Sequence, residues 1–398
     1  MQKGIFSNIR VLSLEQATVL PYLTYRLVQD GADVIRVENP RIADPNRLIG
    51  AKTLDEEMMN TYFLHINAGK KAITLNLKLD RGQEILKKLI KDFNIDIFAT
   101  NQLPSNYQKL GIGYKTLKAV KQDLIWLGVT GFGPENNEAA YDPILQARSG
   151  LMEVTGESDG SPQVIGIPLS DLGAAEHGYG QVMKALFKRE KTGEGSRIDI
   201  SMFQSSVSWL TVAITMTASF GVKITRRGNT HQFFAPVSVY ATADGYVYIA
   251  VGNDRQWQDF INLPGFKSLA RKDYEKNAGR IADSIVLNKK IEELTRQKTS
   301  DELIALFNQA RIPISKVNGI HDVINDQLVS KKLLHAEDSR SNLVVTLAPP
   351  PVDTKFIEER GRRLSFPPRF GEHNQDVYCR LLGFNESELE KLKAQEII

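Results

Sequence analysis

The chain has 398 residues, of which 42% are hydrophobic and 24% charged, so it is long enough for about two globular domains. A net charge of +3 and a single cysteine, Cys379, argue against a nucleic-acid-binding protein and exclude an intrachain disulfide framework. Lys3 and Arg10 come too early for a signal peptide, and no apolar window is long enough to span a bilayer. We therefore expect a cytoplasmic protein that binds neither membrane nor nucleic acid.

Strand-like and helix-like segments alternate up to residue 132. RVLSL (10–14) and ADVIRVE (32–38) flank a helical pattern at 21–31, with Pro21 in its first turn and Gly31 at its end. The alternation continues with a helix and three more strands, at 81–93, 72–77, 95–100 and 124–132. This pattern predicts an open, mostly parallel sheet with helices on both faces and ligands at the carboxyl ends of its strands.

The stretch IGIPLSDLGAAEHG (165–178) places a lone aspartate between two patterns. Alternating apolar residues at 165–169 indicate a short strand, and the small residues after Asp171 lead into a helix. Asp171 would then stand at a helix start, where a carboxylate commonly caps free N–H groups. A second interpretation is a nucleophile that the helix N-terminus holds ionised, beside residues too small to obstruct a bulky ligand. The local pattern favours the cap.

From about residue 225 the pattern changes to strands followed by charged helices. SVYATADGYVYIAVG (238–252) predicts a hairpin that turns at Ala243-Asp244-Gly245, and the helical DELIALFNQA follows later. We therefore predict a smaller α+β domain at 225–324. The large α/β domain would comprise 1–224 and be completed by the returning segment 325–398.

Several common site chemistries lack their sequence motif. The chain has no GxxxxGK[ST] loop, no GxGxxG after its first strand and no GxSxG, and its six histidines are scattered, so no metal site is predicted. Lys70, Lys71, Lys78 and Lys109 lie near strand ends. A single such lysine is usually a solvated surface residue, but several at strand ends would suit a phosphate-bearing ligand.

Six segments, in this order, resemble the class III coenzyme A transferases, which include formyl-CoA and carnitine-CoA transferases and methylacyl-CoA racemases. They are LPYLTYRLVQDGADVIRVENP (20–40), INAGKKAITLNLK (66–78), GVTGFGP with the later AAYDPILQARSGLMEVTG, GIPLSDLGAAEHG, KREKTGEGSRIDISMFQSS (188–206) and GEHNQDVYCRLLGF. The resemblance spans nearly the whole chain and rests on the order and spacing of these segments together.

The resemblance implies that Asp171 is the catalytic nucleophile. Its carboxylate would attack an acyl-CoA donor and form first an aspartyl anhydride and then an aspartyl-CoA thioester, from which a carboxylic acid acceptor takes the coenzyme. No cofactor is implied, because the coenzyme A thioester is itself the substrate. Polar and basic residues such as Arg148, Arg226 and Arg227 suggest succinyl-CoA as donor and a substituted succinate as acceptor.

The resemblance also implies which residues contact the substrate. Those expected at coenzyme A or in the reaction pocket are Thr18, Leu75, Lys78, Asn101, Gln102, Lys109, Leu110, Tyr141 and Asp142. Lys109 replaces the usual arginine, which keeps the charge but loses the bidentate fork. TNQLPS (100–105) replaces the usual ENFxPG, and Leu20 replaces a glycine.

For assembly, the resemblance implies two open-ring subunits threaded through one another, as a homodimer or with a related subunit. Two other functions remain open on the same fold: an acyl-CoA racemase or epimerase, and a non-catalytic coenzyme A-binding subunit of a heteromeric transferase. In the racemases a histidine stands where this chain has Tyr141, and tyrosine is a poor base at neutral pH. An intact Asp171 argues against the non-catalytic subunit.

Overall fold

The structure, a computed structural model, describes residues 3–398 as two compact units. The larger unit contains the chain up to Leu151, Ile165–Ile214 and Gln327–Ile398. The smaller unit contains Met152–Val164 and Thr215–Asp326. The predicted small domain, 225–324, lies within the second of these segments, and the smaller unit also takes in a separate stretch before Ile165.

The larger unit is built on a six-stranded sheet whose strands all pair in parallel. In chain order the strands are β1 Arg10–Leu14, β2 Asp33–Glu38, β3 Lys71–Thr74, β4 Ile97–Thr100, β5 Ile125–Thr130 and β6 Ser196–Ser201. Their spatial order is β3-β2-β1-β4-β5-β6, so the direction of winding reverses between β1 and β4. This confirms the predicted parallel α/β class, and such a reversal creates a crevice at the carboxyl ends of β1 and β4.

Helices cover both faces of this sheet. They are α1 Val19–Gln29, α2 Thr61–Leu64, α3 Asp80–Asp92, α4 Asn106–Lys109, α5 Tyr114–Val120, α6 Asp142–Ser149, α7 Leu169–Thr192 and α8 Met202–Ser208. The chain continues with α9 Thr211–Phe220, which contributes no buried residue. On one face α1 and α7 pack together over buried residues such as Leu23 and Val182, and on the other α3 and α5 bury Leu89 and Leu117. Among residues 3–398, no helix is long and apolar enough to cross a bilayer.

The predicted strand at 165–169 does not form. Ile165 donates its backbone N–H to Oε1 of Gln146 at 2.9 Å, and the carbonyl oxygen of Ile167 accepts from Nε2 of Gln146 at 3.4 Å. A side chain therefore supplies the hydrogen bonds that a neighbouring strand would have made. Helix α7 begins directly afterwards, at Leu169.

The smaller unit combines a three-stranded antiparallel sheet with helices. Its strands, in the order β7-β8-β9, are β7 Val237–Ala241, β8 Tyr246–Ala250 and β9 Ile314–Lys316. Its helices are α10 Asp254–Ile261, α11 Asn277–Ala282, α12 Ser284–Thr295, α13 Ser300–Gln309 and α14 Ile320–Asn325. Trp257, Phe260 and Phe307 are fully buried at its centre. The antiparallel sheet and the helices together confirm the predicted α+β character.

After Asp326 the chain returns to the larger unit. This segment contains β10 Leu334–Glu337, β11 Val344–Leu347, α15 Lys355–Glu359, β12 Arg363–Ser365 and α16 Glu386–Ala394, with a second small sheet in the order β11-β10-β12. Short 3₁₀ and π turns complete the structure, at Pro45–Leu48, Lys267–Leu269, Lys272–Tyr274, Ser330–Lys332 and Asp376–Leu381.

The returning segment covers the outer edge of β3. His373 donates its backbone N–H to the carbonyl oxygen of Ala72 at 2.9 Å, and Oδ1 of Asn374 accepts the N–H of Thr74 at 2.8 Å. The hydroxyl of Tyr378 donates to the carbonyl oxygen of Thr74 at 2.6 Å. These bonds satisfy groups that an edge strand would otherwise leave unpaired.

Candidate active site

Asp171 lies in the first turn of α7, at the edge of the sheet where the parallel strands end. Pro168 precedes the helix and offers no side-chain hydrogen bond. Asp142 caps the helix instead, because its Oδ1 accepts the N–H of Ser170 at 2.7 Å and that of Asp171 at 3.3 Å. The interpretation of Asp171 as the cap is therefore wrong, and its own carboxylate is left for other chemistry.

Asp142 is held in place by Gln146, one turn further along α6. Its Oδ2 accepts from Nε2 of Gln146 at 2.6 Å, and Oε1 of Gln146 accepts the backbone N–H of Ile165. Both side chains are buried. The start of α6 is thereby tied to the segment that leads into α7, so rigid elements hold the two aspartates close together.

The surroundings of Asp171 change its acidity. Burial raises the pKa of this carboxyl to about 7, and the nearby carboxylate of Asp142 adds to the shift. The helix N-terminus acts in the opposite sense by favouring an anion. At neutral pH both protonation states are therefore populated, and the carboxylate is partly stripped of water, which favours nucleophilic attack.

The small residues after Asp171 serve packing between helices. A Cβ atom on Gly173 would lie 2.9 Å from Nε1 of Trp209, and one on Gly178 would lie 2.5 Å from Cδ1 of Leu23. Both glycines are buried, as are Ala174 and Ala175 between them. These residues let α7 approach α1 and α8 closely, and the expectation that they leave room for a ligand stays a prediction.

A cavity of about 340 Å³ opens at the same edge of the sheet, and we call it the edge cavity. Five residues that the resemblance assigns to coenzyme A line it together: Leu75, Lys78, Gln102, Lys109 and Leu110. They follow β3 and β4, which lie on opposite sides of β1. Gln83 joins the two groups, since its Nε2 donates to the carbonyl oxygens of Leu77 and Lys109, each at 3.0 Å.

The other residues expected at the substrate lie elsewhere. Both amide atoms of Asn101 bind the backbone of Gln16, with Nδ2 donating to its oxygen at 2.8 Å and Oδ1 accepting its N–H at 3.2 Å. Asn101 thus fastens the loop after β1 to the end of β4. Thr18 is buried immediately before α1, whereas Tyr141 is 75% exposed.

Six polar residues of the cavity wall were not among the predicted site residues: Glu15, Gln16, Glu38, Asn39, Asp44 and Asn106. The signal that could have found the first four is their position at the end of a strand or within two residues after it, because strand ends of a parallel sheet meet at one edge. Asp44 and Asn106 lie further along the chain, and no sequence pattern marks them.

Charged side chains behind the edge cavity form a buried network. Its three acids line the cavity wall, and each one is neutralised by a buried cation on its inner side. The ion pairs have N–O distances of 2.7–2.8 Å and are Arg36–Asp44, Arg47–Glu38 and Lys70–Glu15. An anionic ligand in the cavity would therefore meet compensated carboxylates rather than free ones.

The network also fixes the charge of Glu38. Burial alone would raise its pKa, but Arg36 and Arg47 outweigh burial and hold the pKa at about 2. Lys70 shows the complementary behaviour, since burial lowers its pKa to about 8 although Glu15 opposes the change. These groups are charged at neutral pH and belong to the frame of the cavity.

Within the described part of the chain, no three His, Cys, Asp or Glu side chains come together in a way that could hold a metal ion. The groups that the structure places at this end of the sheet are the partly buried carboxylate of Asp171, the helix N-terminus capped by Asp142 and a cavity lined by two lysines.

Comparison with known proteins supports the resemblance. Residues 6–374 match CoA-transferase family III. Succinyl-CoA:glutarate CoA-transferase of Mus musculus is 30% identical over 98% of this chain and 89% of its own length. Succinyl-CoA:mesaconate CoA-transferase of Haloarcula hispanica is 31% identical over 94% of this chain and 96% of its own. The crystal structure of a CAIB/BAIF family protein from Brucella suis, 29% identical, matches with a TM-score of 0.83 over 96% of this chain and 100% of its own.

Proposed function

The chain belongs to CoA-transferase family III, and from this premise we propose that it transfers coenzyme A from succinyl-CoA to a dicarboxylic acid through covalent intermediates on Asp171. The observation that carries the proposal is the carboxylate of Asp171. This carboxylate does not cap the helix, because Asp142 does so. It is partly buried and lies at the sheet edge beside the fixed carboxylate of Asp142.

The reaction consists of four acyl transfers, in each of which one nucleophile replaces another at a carbonyl carbon. A carboxylate oxygen of Asp171 attacks the thioester of the donor, which forms a mixed anhydride and expels coenzyme A as thiolate. The thiolate attacks the aspartyl carbonyl and releases the donor acid. The acceptor carboxylate attacks the resulting aspartyl-CoA thioester, which forms a second mixed anhydride and expels the thiolate again. The thiolate finally attacks the acceptor carbonyl of this anhydride, which gives the new acyl-CoA and frees Asp171. The reaction exchanges one thioester for another of similar energy, so it needs no ATP.

We place the nucleotide end of coenzyme A in the edge cavity. Lys78 and Lys109 line it, both are exposed, and neither has an ion-pair partner among the described residues. Their ammonium groups are free for phosphates, while the acids of the wall are neutralised from behind. The cavity lies within the range of volumes that ordinary ligand pockets have, about 300–1,000 Å³.

The proposed acceptor class follows from the relatives. Glutarate and mesaconate, which the two relatives' names print, are both dicarboxylic acids. Two of the three arginines that suggested this class from sequence form ion pairs: Arg148 pairs with Glu138 at 2.8 Å and Arg226 pairs with Glu153 at 3.0 Å. The support for a dicarboxylate therefore comes from the relatives, with mesaconate close to the substituted succinate expected above.

We expect succinyl-CoA to yield a new thioester with at least one dicarboxylic acid. The protein is incubated in heavy water with succinyl-CoA and single acceptors, and products are followed by mass spectrometry. The same experiment with a 2-methylacyl-CoA and no acceptor should show no deuterium at the α-carbon, because the site offers two carboxylates and no imidazole base at Tyr141. Deuterium uptake without transfer would overturn the proposal in favour of a racemase.

The pH dependence of transfer should report the acidity of Asp171. With a pKa near 7, the rate should rise as pH increases through 7 and level off above it. In Asp142→Asn the like charge is removed while an oxygen remains for the N–H of Ser170, so the midpoint should fall by about one unit. Initial rates between pH 5.5 and 9 measure both profiles, and coincident midpoints would contradict the coupling of the two carboxylates.

We further expect a dimer, formed by two copies or with a related subunit. Helix α9, TVAITMTASF, contributes no buried residue, and Val212, Ile214 and Phe220 are 55%, 45% and 68% exposed. Contiguous apolar surface of this kind is usually covered by a partner. Light scattering should show a dimer at micromolar concentration, and Val212→Asp combined with Ile214→Asp should shift it toward monomer. A monomeric wild-type protein would contradict this.

A further inference from the structure

The final residues of the chain, 396–398, lie against the segment that follows β3, and we call them the tail segment. Asn76 donates its backbone N–H to the carbonyl oxygen of Ile397 at 2.8 Å and its Nδ2 to the carbonyl oxygen of Glu396 at 3.2 Å. Asn76 is 4% exposed, and its neighbours on both sides in sequence line the edge cavity. The tail segment therefore holds one wall of that cavity from behind.

The tail segment also contacts the neighbouring wall, which follows β2. Glu396 forms an ion pair with Arg41, and the next residue, Ile42, lines the cavity. Ile397 and Ile398 are 4% and 6% exposed, and they belong to the buried cluster that contains the wall residues following β3. One short segment thus joins the wall that follows β2 to the wall that follows β3.

We propose that the tail segment is a structural part of the coenzyme A site, which sets the spacing of the two cavity walls and through it the affinity for the nucleotide end of the coenzyme. The inference rests on the proposed function, because it takes the edge cavity as the nucleotide site. The match to the family model ends at residue 374, before the tail segment.

A comparison of two donors isolates the effect. Succinyl-CoA carries the nucleotide, whereas succinyl-pantetheine carries the same thioester without it. Deleting 396–398 removes two hydrogen bonds to the wall, so kcat/KM for succinyl-CoA should fall about tenfold, mainly through KM. For succinyl-pantetheine, kcat/KM should change by less than about twofold, since the reacting carboxylate is untouched. A general loss of stability would lower both values together.

A point variant makes the same test with little change in shape. Asn76→Asp keeps the oxygen that accepts the N–H of Lys78 at 3.2 Å but replaces the donor to Glu396 by a second oxygen. The control is Glu390→Ala on the exposed side of α16, where Glu390 is 70% exposed and pairs only with Lys393. The control should keep the wild-type ratio between the two donors.

The outcomes separate this inference from the function on which it rests. A wild-type protein that transfers nothing would overturn the function and the inference with it. A wild-type protein that uses both donors equally well would overturn the placement of the nucleotide and the inference, but not the transfer. A normal wild-type preference that survives in both variants would overturn the inference alone.

If both variants fail to fold, hydrogen exchange on the wild-type protein gives the answer. By reciprocity, coenzyme A must slow amide exchange in residues 386–398, whereas pantetheine must not. Equal exchange with and without coenzyme A would overturn the inference.

Discussion

Replacing Asp171 by asparagine is expected to lower the rate of coenzyme A transfer by about 10⁴-fold or more, because the amide cannot form the anhydride on which every later step depends. Wild-type protein incubated with succinyl-CoA should carry an adduct on the peptide that contains Asp171, and the variant should carry none. Mass spectrometry after rapid quenching detects the adduct. Transfer at the wild-type rate in the variant would exclude Asp171 as nucleophile.

The same variant should be more stable than the wild type above neutral pH. The pKa of Asp171 is raised in the folded protein, so the folded state binds this proton more tightly than the unfolded chain and ionisation opposes folding. The unfavourable contribution is absent below the unfolded pKa, near 4, and grows as pH rises to 7. Because Asp171 is partly exposed, we expect a gain of about 1–2 kcal/mol at pH 8, less than a three-unit shift would represent.

Urea unfolding at pH 8 and pH 4 measures this difference. The gain should be present at the higher pH and vanish at the lower one. Equal stability of the two proteins at pH 8 would show that the carboxylate is not strained by its surroundings, and would contradict the raised pKa.

The largest effect on stability is expected from Arg36→Met. Arg36 is fully buried, donates to Asp44 at 2.8 Å and to Asn67 at 2.6 Å, and lies 3.3 Å from Glu38. Glu38 keeps its pair with Arg47, but Asp44 is left charged, buried and uncompensated, which costs about 3–5 kcal/mol. Denaturant unfolding at pH 7 measures the loss.

A matched control is Arg81→Ala, which removes the exposed ion pair with Glu84 on α3. Exposed pairs of this kind contribute about 0–1 kcal/mol, so this variant should unfold close to the wild type. A similar loss of unfolding free energy in both variants would show that burial of the network does not add to the stability of the protein.

The acid limb of the stability curve should change as well. The pKa of Glu38 is held at about 2 in the folded protein, below its unfolded value, so its stabilising contribution is complete above pH 5 and is lost as pH falls toward 2. Without Arg36 this contribution shrinks. Unfolding of Arg36→Met should therefore depend less steeply on pH between 5 and 2 than unfolding of the wild type.

The sequence predicts the inner strands of the parallel sheet well because they are buried on both faces and their residues are mostly apolar, as in IWLGVT of β5. The prediction of a strand at 165–169 was wrong because the alternation of apolar residues there does not reflect pairing with another strand. The backbone of this stretch forms hydrogen bonds with the side chain of Gln146 instead. Hydrogen bonds between a side chain and a distant backbone leave no periodicity, so no local pattern could reveal them.

At the candidate site, too, some features could be predicted from the sequence, and contacts between distant residues could not. The resemblance pointed to Asp171 as nucleophile, which stays a prediction, and to five residues that the structure brings together in the edge cavity. It did not reveal that Asp142 caps the helix of Asp171, since the two are 29 positions apart and the contact depends on how α6 and α7 meet. The ion pairs behind the cavity were likewise invisible, because each charged residue alone reads as a surface group.

The covered edge of β3 has a consequence for how the protein emerges from the ribosome. β3 is complete once Thr74 has been made, but His373 and Asn374, which close its edge, are synthesised almost 300 residues later. Throughout that interval the nascent sheet offers a bare strand to any neighbouring chain. Translation pauses or premature stops before residue 373 would therefore yield products prone to cross-strand association. The yield of native protein should also depend on chaperones that shield this edge until His373 and Asn374 have been made.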